Sequence, residues 1–179
     1  MFKVLDKVCV PKRSTKYSAY VDLFSREKVT IGAGETKIVP LGVKIDIEMN
    51  AIDYQFNHYP KQKQTLVKES FMKSHYLEVA LRSSLAVKGL IIPNGIGIID
   101  LDYPDEIGLI VHNPIIDKNF NEEVGEFGSD RDAFVESEFK INKGDKVCQC
   151  TLKEHKGYLI GYESDVIREG GFGSTDKGF

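Results

Sequence analysis

The 179-residue chain has no tryptophan, only three cysteines and only six prolines, and each scarcity removes a class of protein. Three cysteines, Cys9, Cys148 and Cys150, cannot build the paired framework of a small secreted domain. Cys148 and Cys150 are two apart on one predicted strand, too local for a useful bridge. With no second Cys/His pair at ligand spacing, they also make no zinc site. All three are expected to be reduced thiols that pack as small hydrophobes. Residues 1–13 contain no apolar run of signal-peptide length, and no stretch approaches the about 20 apolar residues that cross a bilayer. A net charge of -3 gives no overall attraction to nucleic acid. The expectation is a soluble, cytoplasmic protein with no membrane or nucleic-acid partner.

What the chain does have is many short apolar runs bounded by turn residues, with ten Phe and eight Tyr as its aromatic load. Residues 2–5, 20–24, 29–31, 36–39 and 43–47 read as strands, with Gly32-Ala33-Gly34-Glu35 as a hairpin turn between two of them. Further strands are expected at 77–82, 89–92, 96–99, 107–111, 139–141, 146–152 and 158–162. So many short, closely spaced strands predict an all-β fold, a sandwich, jelly roll or barrel. Two segments break the rhythm. Residues 57–75 carry Lys61, Lys63, Lys68 and Lys73 against Glu69, with a short helix expected at 65–74. Residues 117–138 carry eight acids against Lys118 and Arg131. Both read as insertions in a single domain spanning 1–165, either as solvated excursions or as surfaces that recruit a protein partner. The glycine-rich residues 166–179 have no core to join and are expected to form a mobile arm.

Several segments carry chemistry. N-G-I-G-I-I-D-L-D-Y-P-D-E at 94–106 places Asp100, Asp102 and Tyr103 near the bend of an expected hairpin, where a rigid ladder would hold them still. Arg82, Ser83 and Ser84 close a strand with a planar fork of donors and two hydroxyls, a set that suits a polyphosphate. In the strand at 146–152, Val147, Gln149 and Thr151 are expected to share a face. Asp22 lies inside an apolar strand and, half-buried, requires a cationic partner or a metal-bound water. Arg168, Gly173, Ser174 and Thr175 combine a cation, a permissive backbone and hydroxyls, while Phe172 is a ring with nothing local to pack on.

Five of these segments, in order, resemble the five motifs of the homotrimeric dUTPase family: A-Y-V-D-L at 19–23, R-S-S-L-A-V-K-G at 82–89, N-G-I-G-I-I-D-L-D-Y at 94–103, G-D-K-V-C-Q at 144–149 and R-E-G-G-F-G-S-T at 168–175. The two insertions are similar to those of phage-type members. The resemblance implies a jelly-roll β-barrel and a homotrimer in which three subunits share each active site, the arm coming from a different subunit than the third motif. It implies hydrolysis of dUTP to dUMP and pyrophosphate with Mg²⁺ on the triphosphate, which keeps uracil out of DNA and supplies dUMP for dTMP synthesis. By the same resemblance Asp100 is the base that activates water, and Asn94, Gly97, Tyr103 and Phe172 hold the uracil and deoxyribose. Arg82, Ser83, Ser84, Gln149, Arg168, Gly173, Ser174 and Thr175 hold phosphates, and Asp22 reaches the metal through water.

The chain departs from the family pattern at Tyr20 and Asp105, where glycine is usual, and at Leu81, where proline is usual. The related dCTP deaminases share the R-S-S-L-A segment, but this chain has Val87 and Ile110 where they carry their catalytic Arg and Glu. A dUTPase-fold protein that regulates a partner through its insertions is the other alternative, because function lives in the site and not in the fold.

Overall fold

The computed structural model describes residues 1–114, 138–161, 166–168 and 170–171. The acidic segment 117–138, except its last residue, and the arm residues Phe172, Gly173, Ser174 and Thr175 lie outside them. Among the described residues, β1 (Phe2–Val4), β4 (Thr36–Ile45) and β7 (Glu106–His112) form one antiparallel sheet in the order β1-β4-β7. β2 (Val21–Phe24), β9 (Lys146–Glu154), β5 (His75–Leu81) and β6 (Gly97–Asp100) form a second in the order β2-β9-β5-β6. β3 (Val29–Ile31) and β8 (Phe139–Ile141) make a separate pair. The fold is all-β and jelly-roll in type, and the described strands do not close into a barrel.

Period-two alternation explains which faces meet. On β7, Ile107, Leu109 and Val111 are buried between half-exposed neighbours. On β5, Leu77 and Val79 point into the same core, while Tyr76 and Glu78 point out. Cys148 and Cys150 join that core, and burial pushes the Cys150 thiol up to about 12, so both behave as the inert small hydrophobes that the sequence predicts.

The stretch at 94–106 is not a hairpin. β6 pairs with β5 and β7 pairs with β4, so the connection arches from one sheet to the other. The cause is burial: Leu101 and Tyr103 are 4% and 8% exposed, so the connection turns into the core instead of folding back on itself. The Gly32–Glu35 turn likewise joins strands of different sheets, since β3 pairs with β8. The runs expected at 36–39 and 43–47 are one strand, β4, with a register shift between Pro40 and Lys44. Residues 89–92 contribute only an isolated bridge from Ile91 to His112, and the strand expected at 158–162, whose last residue lies outside the described ones, begins instead in a turn of 3₁₀ helix, Gly157–Leu159. On β9, a bulge opposite Leu23 and Phe24 turns Val147 into the core, so it does not share a face with Gln149.

The basic insertion holds α1 (Lys61–Ser74), one turn longer at its start than expected because Pro60 sets the N-cap. Its Val67, Phe71 and Met72 pack on the core, and Phe71 stacks on His75 with ring centroids 4.3 Å apart.

Gly42 marks the tightest approach of backbone to side chain. Its φ is +64°, and an added Cβ would lie 2.5 Å from Cys9 Sγ. Its N–H donates to the Glu106 carboxylate at 2.7 Å, which also pairs with Arg26 at 2.9 Å. Gly42→Ala should therefore lower stability by about 1–3 kcal/mol. The urea midpoint measures this, and an unchanged midpoint would show that the contact is relaxed.

Candidate active site

The sequence-predicted residues gather at two separate places. The first centres on Asp22, on the polar face of the four-stranded sheet and only 5% exposed. Its Oδ2 accepts a hydrogen bond from Ser14 and a charged one from Lys146 Nζ at 2.9 Å, and its Oδ1 lies 3.4 Å from Arg82 Nε. Burial pushes the Asp22 carboxyl up, but the hydrogen bonds from Ser14 and Lys146 and the nearby charges of Arg82 and Lys146 outweigh it and hold the pKa below the ordinary value. Gln149 sits directly across from Asp22 on the neighbouring strand, so the two side chains share a face. Arg82 caps α2 (Ser83–Ala86), a single turn that leaves Ser83 and Ser84 exposed beside it. A shallow cleft next to this group is lined by Arg82, Lys88, Lys140 and Lys146, a concentration of positive charge suited to an anion.

The second place is the β6–β7 arch. A cavity of about 170 Å³ is lined by Val79, Ile92, Asn94, Gly97, Asp100 and Tyr103, with Arg168 at its side. Cavities of about 150 Å³ take a benzene-sized ring, so a pyrimidine is of the right size. At Gly97 an added Cβ would come 3.2 Å from Val79 Cβ, so a side chain there would crowd the wall. Tyr103 closes one end, its hydroxyl donating to the Glu106 carbonyl at 3.4 Å. Asp100 is exposed, and Arg168 Nη1 approaches its Oδ2 to 2.5 Å.

One chain does not unite the two places. Asp22 and Asp100 lie on opposite edge strands of the sheet, and Asp100 pairs with Tyr76 while the Asp22 row crosses β5 at Ala80. Three strand spacings across and four residues along put them roughly 20 Å apart. Among the described residues no three His, Cys, Asp or Glu side chains converge as metal ligands. Both Asp22 oxygens are already engaged by protein donors, so this carboxylate acts first as the counter-ion of Arg82 and Lys146.

Lys146 and Ser14 were not among the sequence-predicted site residues. A signal for Lys146 existed: an acid inside an apolar strand demands a cation, and Lys146 is the only cation inside the G-D-K-V-C-Q segment. Nothing in the sequence marks Ser14, which meets Asp22 because Lys12 bridges back to it. Tyr20 is also accounted for: its hydroxyl donates to Glu78, which takes a second bond from Tyr76 at 3.2 Å, fastening the segment before Asp22 to β5. Because the Asp22 pKa is lowered on folding, its stabilisation is present above the unfolded value and lost as pH falls through the folded one, that is, below about pH 4. Tyr20 holds the Glu78 pKa down as well, so Asp22→Asn should reduce, but not abolish, the loss of stability on acidification. Thermal melts between neutral and acid pH read this, and an unchanged acid slope would show that Asp22 is not linked to folding.

No protein-family model matches the chain. It is similar to the deoxyuridine 5'-triphosphate nucleotidohydrolase of Lactococcus lactis subsp. lactis, 28% identical over 173 residues that cover 93% of this chain and 87% of that one. With the enzyme of the same name from Clostridium novyi it shares 27% identity over 178 residues, 97% and 94% of the two chains. Among solved structures, the dUTPase of Streptococcus mutans covers 86% of this chain, with 94% of its own length matched, at a TM-score of 0.57 and 21% identity. The Staphylococcus bacteriophage 80alpha dUTPase covers 94%, with 96% of its own length matched, at a TM-score of 0.60 and 20% identity. These structures share the fold, and the sequence relatives match the chain almost from end to end. Over nearly its whole length the chain is thus similar to deoxyuridine 5'-triphosphate nucleotidohydrolases.

Proposed function

We propose that this chain hydrolyses dUTP to dUMP and pyrophosphate, at sites assembled between copies of itself. The observation that carries the reading is the division of labour between the two half-sites: one offers cations and hydroxyls, the other a ring-sized cavity with an exposed carboxylate. Neither suffices for a nucleoside triphosphate. Each copy carries both, so a closed ring of copies makes every site whole, as in the homotrimer that the motifs imply.

Uracil would enter the cavity at the arch. β6 is the edge strand of its sheet, so one row of its backbone groups has no strand partner among the described residues and can meet the acceptor–donor–acceptor edge of the base. Asn94 lies at the same cavity. Cytosine would leave these groups mispaired, which is costly in a dry slot. Tyr103 would pack on the deoxyribose and exclude a 2′-hydroxyl, and Phe172 would cover the base. The phosphates would lie on Arg82, Ser83, Ser84 and Gln149, with Arg168, Gly173, Ser174 and Thr175 closing on the γ-phosphate.

Asp100 would orient a water and accept its proton as the water oxygen attacks the α-phosphorus in line. The bond from that phosphorus to the bridging oxygen breaks, and pyrophosphate leaves. The donor set fits a Mg²⁺ that arrives on the phosphates and keeps its waters, with Asp22 reaching it at most through one of them. Bound there, the ion would neutralise phosphate charge.

Purified protein with Mg²⁺ should release pyrophosphate from dUTP and hardly from dTTP, dCTP or UTP; equal turnover of the four, or ammonia from dCTP, would overturn the reading. Asp100→Asn should lower kcat by about 10²–10⁴ while dUTP still binds. For the shared site, Asp100→Asn and Arg82→Ala subunits should each be inactive alone. Co-expressed, they should regain activity at about a quarter of the sites, since each supplies what the other lacks. A mixture as inactive as its components would place the whole site within one chain.

A further inference from the structure

We propose that the cleft beside Arg82 is a binding site for inorganic pyrophosphate, with Lys88 and Lys140 as the residues that hold it. Four cations from separate parts of the chain line this cleft: Arg82 after β5, Lys88 after α2, Lys140 on β8 and Lys146 at the start of β9. Arg82 and Lys146 are engaged in part by the buried Asp22. Lys88 is exposed and makes no ion pair with a described residue. Lys140 has only Glu138, at 3.4 Å, in a pair whose two side chains are 63% and 51% exposed and whose attraction is therefore weak. Asp145, the acid among the lining residues, is turned back into its own loop, where its carboxylate accepts a hydrogen bond from the Asn142 N–H at 2.7 Å. Positive charge thus faces solvent here with little to neutralise it, and an anion would relieve the repulsion among the four cations.

The chemistry of the ligand follows from what the cleft offers and from its neighbour. Ammonium groups on flexible stems are compact point charges with no demand for planar geometry, which suits a small polyanion. The ring-sized cavity lies at the arch and shares no lining residue with this cleft, so nothing here selects a nucleoside. Arg82 belongs both to the cleft and to the set proposed to hold the substrate's phosphates. An anion released there can pass to Lys88 and Lys140 without leaving the cationic surface. Cleavage also favours that transfer. When the bond to the α-phosphorus breaks, the bridging oxygen becomes a terminal oxyanion of pyrophosphate, and the added charge strengthens its attraction to further cations. The inference rests on the proposed function for the source of the pyrophosphate and not for its binding.

Calorimetric titration of the nucleotide-free protein with inorganic pyrophosphate reads the site directly. At about 0.15 M salt and without Mg²⁺, a diffuse excess of charge is screened within about 8 Å, so direct contacts dominate. Lys88→Ala and Lys140→Ala should each weaken binding by about two- to five-fold, the scale of an exposed ion pair, and the double variant should lose more than either. Lys143→Ala is the matched control: Lys143 sits in the same loop but is held by Asp6, and this variant should bind pyrophosphate as wild type does. During turnover of dUTP, the double variant should raise the inhibition constant for added pyrophosphate by its full factor and KM by less. No measurable binding to wild type, wild-type affinity in the double variant, or an equal loss in Lys143→Ala overturns the assignment. So does a loss confined to Gln149→Ala, which would place pyrophosphate only where the substrate's phosphates lie. Pyrophosphate binding that depends on Lys88 and Lys140 in a protein that leaves dUTP intact would uphold the site and overturn the proposed function, so the two readings fail separately.

Discussion

A carboxylate that is 95% removed from solvent has to be compensated, and the cationic cluster of this protein follows from that requirement at Asp22. Meeting it draws Lys146 from the start of β9, Arg82 from the end of β5 and Ser14 from the segment that precedes β2. Three distant parts of the chain therefore share one fixed point. The two cations are left about one-third exposed, held in place from behind and open in front. That geometry keeps like charges together before any anion arrives, so the cost of gathering them is met during folding and not during binding.

The cavity at the arch depends on a different constraint, the burial of Leu101 and Tyr103. Once those side chains enter the core, the segment between β6 and β7 must arch across the sheets. The outward positions that remain, Asp100 and Asp102, are then held at the rim of a cavity whose walls come from both sheets. A hairpin would have paired β6 on both edges and covered the backbone that the ligand is proposed to read. The arch thus explains why a rigid element also has an open edge.

Local patterns in the sequence made much of this legible. Alternation located most strands to within a residue or two, because half-buried sheets impose it directly. Asp22 stood out because an acid inside an apolar strand is chemically expensive, whereas exposed Asp100 stood out only through the ordered set of motifs around it. Strand partners were not legible: 96–99 and 107–111 have the spacing of a hairpin, and only the competing attractions of β5 and β4 decide otherwise. The strand expected at 158–162 illustrates the same limit, since an apolar run with aromatics fits an exposed 3₁₀ turn equally well when no neighbour claims it. Ser14 was invisible for a simpler reason. A serine in a polar loop carries no signal until the loop's path is known.

The open edge of β6 has a consequence for how the protein keeps to itself. An unpaired strand edge invites another chain to add to it, and Ile98, 61% exposed, makes this one more adhesive. The strand is only four residues long and ends at Asp100, with Asp102 just beyond. A second molecule attempting to extend the sheet would bring its own acids against these two. Asp100 and Asp102 therefore also act as gatekeepers against edge-to-edge association, and neutralising both would be expected to cost solubility.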